Sequence, residues 1–106
     1  MSKKTKRPRT VRREEVRQSA ALARDRERLF RLEAGGTPER PIEVASASVV
    51  DVRAAAVPCP RCGGDQAVKE HAAVGGTQGA RLREARLECR RCGSVRSLWF
   101  RLPSVN

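Results

Sequence analysis

Cys59-Pro60-Arg61-Cys62-Gly63 and Cys89-Arg90-Arg91-Cys92-Gly93, two thiol pairs of one form with 26 residues between them, decide how this chain folds. Two residues between thiols let both sulfurs of a pair converge on one ion, and two such pairs supply four tetrahedral ligands. The spacing predicts one closed structural Zn2+ site with Cys59, Cys62, Cys89 and Cys92 as ligands. Gly63 and Gly93 fall where a tight turn asks for a residue tolerant of positive φ, and Pro60 presets φ inside the first turn. Redox motifs of the Cys-Pro-x-Cys form open a helix that lowers the thiol pKa. Here Gly63-Gly64 follows instead and a second matching pair lies downstream, which favours metal binding.

The 106 residues have room for one small domain plus extensions. Leu, Ile, Val and Phe number only 21 and the net charge is +11, so an apolar core alone is marginal. A structural zinc contributes on the order of 10 to 16 kcal/mol of apparent binding energy, which becomes folding energy, so the metal-free domain is expected to be largely unfolded. There is no run of eighteen apolar residues, and Met1-Ser2-Lys3-Lys4 is not followed by an apolar signal core. Secretion and membrane spanning are therefore not expected. Paired Cys-x-x-Cys units in a reducing compartment favour zinc over disulfides, and the expected location is the cytoplasm, or the nucleus in a eukaryote.

Charge is unevenly placed: +7 over residues 1–13, −1 over 14–44 and +5 over 45–106. Residues 1–10 read as a disordered basic arm. Its charges, continuing into the next segment, are Lys3, Lys4, Lys6, Arg7, Arg9, Arg12 and Arg13, candidates for contact with polyanion phosphates. Residues 11–34 hold no Pro or Gly and are rich in Ala, Leu, Arg and Glu, which predicts a helix capped by Thr10, ended by Gly35-Gly36 and supported by a Glu27–Arg31 pair. Its modest apolar stripe, with Val16, Ala20, Ala23 and Phe30 near one face and Leu22, Leu29 and Leu32 widening it, would pack on the zinc domain or on a second copy. The alternative is a basic helix lying along nucleic acid. Residues 35–56 read as a linker with one or two extended strands, since Ile42, Val44, Val50, Val52, Ala54 and Ala56 share one parity. Residues 57–102 form the zinc domain and 103–106 a tail.

The Cys59-Pro-x-Cys62-Gly turn, an extended segment, the Gly75-Gly76-Thr77-Gln78-Gly79 loop and the Cys89-x-x-Cys92-Gly turn before an aromatic strand together resemble the zinc-ribbon family over residues 57–102. The resemblance implies two turns holding one zinc at the end of a three-stranded antiparallel sheet, with strands near 66–74, 81–88 and 94–102. The expected fold is thus small α+β: basic arm, helix, then ribbon. The spacing is similar to that of the transcription elongation factor S class, which carries an acidic Asp-Glu pair on this hairpin to bind a catalytic metal. In this chain Thr77-Gln-Gly-Ala-Arg-Leu-Arg83 is basic and Glu84 stands alone, which argues against transcript cleavage.

His71, the only histidine, is not needed as a ligand beside four cysteines, and no paired carboxylates or Ser/His/Asp set surround it, so no catalysis is expected. Adjacent strand residues point to opposite faces, so Trp99 and Phe100 cannot share one core. Either both faces are covered, by Val50, Val52 or the 11–34 helix, or one aromatic is presented to a partner. Arg61, Arg90 and Arg91 would offset the charge of the site. Arg81, Arg83 and Arg101 are candidates for a second basic surface, with cross-strand Arg–Glu pairing as the alternative. Two functional classes follow. One is an adaptor bound to nucleic acid or to a nucleoprotein or polymerase assembly; the other is an interaction scaffold that dimerises or docks on a protein through residues 11–34.

Overall fold

The computed structural model describes residues 8–74 and 81–103 of the chain. Chain order is α1 (Pro8–Leu32), β1 (Ile42–Glu43), α2 (Ala47–Ala55), β2 (Gln66–Ala73), β3 (Leu82–Cys89) and β4 (Val95–Arg101). The class is small α+β, and the sheet corrects one expectation. It has four strands in the order β1-β4-β3-β2, and it is mixed rather than three-stranded antiparallel. β2, β3 and β4 form an antiparallel meander, and β1 joins β4 in parallel with Ile42 opposite Phe100. The extra strand is placed by Gly35, whose φ of 89° turns the chain back after α1 and whose carbonyl accepts the Trp99 N–H at 2.9 Å. A Cβ at Gly35 would sit 2.7 Å from Ile42 Cδ1 and 2.9 Å from Leu98 Cδ1, so the turn is pressed directly onto the sheet.

α1 is already helical at Pro8, the first described residue of this segment, so Thr10 lies inside the helix rather than capping its start. At its other end the Arg40 guanidinium donates to the Leu32 carbonyl at 2.8 Å, satisfying one of the open carbonyls there. No residue of α1 is buried, and Val16, Leu22, Leu29 and Leu32 are exposed. The expected packing of its stripe on the zinc domain is limited to Phe30, which borders the core.

Residues 47–55 are helical, which corrects the reading of this segment as strands. Ser46 enters in extended conformation (φ −156°, ψ 163°), and Val50 and Ala54, four residues apart and so on one helical face, are wholly buried. Val52, expected to share their face, is 71% exposed because a helix turns it away. α2 lies across one face of the sheet. Beneath it Ala85, Leu87, Leu98 and Phe100 complete a core with Val44, Val50 and Ala54.

A register irregularity between Val68 and Glu70 advances the parity of β2. His71 thereby comes opposite Ala85 on the covered face, where its Nδ1 lies 3.0 Å from Asp51 Oδ1 of α2. His71 Nε2 is buried without a hydrogen-bond partner among the described residues. Phe100 is fully buried, and Trp99 lies half-buried on the opposite face.

Candidate metal centre

Each cysteine pair sits on a turn of the same construction. Cys59 N–H donates to the Gly64 carbonyl at 2.9 Å and Gly63 N–H to the Cys59 carbonyl at 2.7 Å; Cys89 to Ser94 and Gly93 to Cys89 repeat this at 2.9 and 3.0 Å. Gly63 and Gly93 have φ of 76° and 77°, the positive values their positions predicted. The first turn precedes β2 and the second joins β3 to β4, and an Arg90 N–H bond to the Asp65 carbonyl (2.8 Å) ties them together.

All four sulfurs lie within 4.8 Å of one another, with Cys59–Cys92 at 3.7 Å and Cys62–Cys89 at 3.4 Å. Four thiolates at about 2.3 Å from a tetrahedral ion are about 3.8 Å apart, so the four cysteines are positioned to hold one metal ion. None is in a disulfide. The sulfurs receive backbone donors: Gly64 N–H to Cys62 Sγ, and the Arg91 and Cys92 N–H groups to Cys89 Sγ, each at 3.4 Å. The turns differ at the residue after the glycine. A Cβ at Gly64 would meet Arg91 Cβ at 2.8 Å and Cys89 Sγ at 3.2 Å, so that position is held to glycine by crowding. Its counterpart Ser94 places a hydroxyl 3.0 Å from Cys92 Sγ and 3.5 Å from Cys59 Sγ.

These contacts split the thiol acidities. Burial pushes Cys59 up, but the Ser94 hydroxyl, the backbone of Cys62 and Arg61 and the Arg96 guanidinium together bring it down to about 6. At Cys62 the Gly64 N–H lowers the thiol, while burial and the three neighbouring sulfurs push it to about 11. Hydrogen bonds from Ser94 lower Cys92.

Arg96 is the functional residue that the sequence reading missed. It is buried, with Nη1 donating to Cys59 Sγ at 3.2 Å and to Gln66 Oε1, while Nη2 donates to Ser94 Oγ at 2.8 Å and to Glu27 Oε1 of α1 at 2.5 Å. Its guanidinium carbon stands 5.9 Å from the centre of the Phe30 ring. Burial acts against the cation, and Glu27 and Cys59 more than restore it, raising its pKa. Gln66 and Arg96 are each the seventh residue after the first cysteine of their pair, a correspondence that is visible in the sequence. The expected Glu27–Arg31 pair is replaced by Glu27–Arg96. Of the three arginines expected to offset the site, Arg91 directs its guanidinium to the Cys62 carbonyl, at 3.3 Å, and the guanidinium that donates to a sulfur is that of Arg96.

The candidate basic residues are dispersed. Lys3, Lys4, Lys6 and Arg7, with the 75–79 loop, lie outside the described residues, whereas Arg9, Arg12 and Arg13 are exposed in the first turns of α1. Arg83 stands opposite Phe100 on the covered face, and Arg101 stands opposite Leu82 on the other face and pairs with Glu43. Arg81 precedes β3, its carbonyl accepting the Leu102 N–H at 2.8 Å. Arg86 and Glu70 form a cross-strand pair at 4.0 Å. No helix among the described residues is long and apolar enough to cross a membrane. Comparison with protein-family models, curated proteins and solved structures found no match.

Proposed function

We propose that this is a structural zinc-binding protein of zinc-ribbon type that works inside the cell as an adaptor on nucleic acid or a nucleoprotein assembly, without turnover of its own. The observation that carries the reading is the combination of a closed four-sulfur site with a net charge of +11. Four thiolates fill a tetrahedral zinc shell and leave no position for water, so the metal organises surface rather than performing chemistry. The surplus positive charge then gives salt-sensitive attraction to phosphates. Filter binding of RNA and DNA from about 50 mM to about 200 mM salt tests it, with affinity expected to fall steeply over that range. Removing residues 1–7 takes away Lys3, Lys4, Lys6 and Arg7 and should lower the log–log salt slope by about 3. Absence of binding at low salt overturns the proposal.

A second reading, docking or dimerisation through α1, is favoured by Leu22, Leu29 and Leu32, which are 50%, 59% and 60% exposed along one side of that helix. Sedimentation decides its dimer form: a salt-independent dimer lost on changing Leu22 and Leu29 to polar residues supports it, and a monomer at high concentration leaves only docking on a different protein.

A further inference from the structure

We infer that the groove between α1 and the outer edge of β4 is a track for single-stranded nucleic acid, with phosphates on a row of arginines and a base against Trp99. This rests on the nucleic-acid reading above and gives it a place on the molecule. α1 carries eight arginines against four carboxylates, and five of the arginines share one side of the helix. At about 100° per residue, Arg13, Arg17, Arg24, Arg28 and Arg31 fall within an arc of about 60°. Glu15 and Asp25 lie well outside that arc, Glu14 and Glu27 fall about 40° beyond its two edges, and Glu27 is held by Arg96. The result is a cationic rail along α1.

The last three arginines of the rail line a cavity of about 670 Å³, and Arg61 of the first cysteine turn and Trp99 of β4 form other parts of its wall. That volume suits a nucleotide-sized ligand. Guanidinium groups on one wall and an indole on another are what a single strand requires, because its bases are free to stack while its phosphates are neutralised. A duplex keeps its bases inside and gains nothing from Trp99.

An acidic peptide would gain mainly by adding a strand to β4. Alternation in an antiparallel pair turns the backbone of residues 95, 97, 99 and 101 outward. The outward positions at 99 and 101 are already used, by the Trp99 N–H bond to Gly35 and by the Val44 N–H bond to the Arg101 carbonyl. Only Val95 and Ser97 remain, too short an edge to seat a strand.

Trp99 is the only tryptophan, so its emission reports the groove alone. The zinc-loaded full chain is titrated with a ten-nucleotide single strand, with its duplex and with a polyglutamate peptide. Expected are quenching by the single strand, an affinity loss of at least tenfold in R24Q/R28Q/R31Q, and a salt slope lower by about 2 in that variant. W99L should lose about tenfold at unchanged zinc content. The arginine variant changes surface positions only, so it decides the matter even where W99L fails to fold. Binding without quenching that is indifferent to R24Q/R28Q/R31Q overturns the groove and leaves the nucleic-acid function standing. Equal affinity and quenching by the duplex or by polyglutamate also overturn the groove assignment. No binding of any oligonucleotide at low salt overturns the function itself.

Discussion

Arg96 lies between two anions of different origin, the Glu27 carboxylate of α1 and the Cys59 sulfur of the first turn. Nothing in a chain with 19 arginines singles it out by composition; only its place seven residues after Cys89, matching that of Gln66 after Cys59, does so. With side chains 5% and 19% exposed, Arg96 and Glu27 form a largely desolvated pair, and removing one partner leaves the other uncompensated. Arg96→Leu is expected to cost about 3 kcal/mol in denaturant unfolding of the metal-loaded protein, and Glu27→Gln in that background should add little. A loss under about 1 kcal/mol would contradict this assignment. The glycines give a second comparison. Gly63→Ala meets no atom within 4 Å and pays only for its positive φ, about 1 kcal/mol. Gly64→Ala pushes a methyl against Arg91 Cβ and Cys89 Sγ, so chelator competition should show the larger loss of metal affinity at Gly64.

At the level of elements, the three antiparallel strands were expected from the resemblance to zinc ribbons, and the cysteine turns adjoin the start of β2, the end of β3 and the start of β4. Expected near 66–74, 81–88 and 94–102, they run 66–73, 82–89 and 95–101. α2 was not legible. Its Val and Ala residues fit period 2 on one parity as well as period 3.6, and the choice is made by the sheet, whose covered face accepts Val50 and Ala54 from one side of a helix. β1 was legible as extended chain, but its parallel seat beside β4 depends on the Gly35 turn. The two readings of 47–55 predict opposite results for one pair of substitutions. On a strand Val50 and Val52 are equivalent, whereas on α2 one is buried and the other exposed. Val50→Asp should abolish folding or lose at least about 3 kcal/mol, while Val52→Asp should stay within about 0.5 kcal/mol. Equal losses at both would return the segment to a strand.

For the molecule as a whole, zinc and fold are expected to be one equilibrium. Chelation should remove the β-sheet signal in circular dichroism and broaden the sheet resonances, and added zinc should restore both; a sheet that survives chelation would show that the apolar core suffices alone. Zinc uptake at pH 7 should release close to four protons per ion, because the thiols of an unfolded metal-free chain lack the folded-state contacts and keep an ordinary pKa of about 8.5. Affinity should therefore rise steeply with pH up to the ordinary thiol pKa of about 8.5. Calorimetry in buffers of different ionisation enthalpy measures that count. The bond from Arg96 to Glu27 also has a mechanical meaning. α1 is anchored near its C-terminal end, and the roughly 33 Å from Phe30 back to Pro8 stand off as a cantilever. A rotation of about 10° at the root sweeps the tip through about 6 Å. Because the clamp at that root also grips Cys59, loosening the sulfurs would be felt most at the point farthest from them.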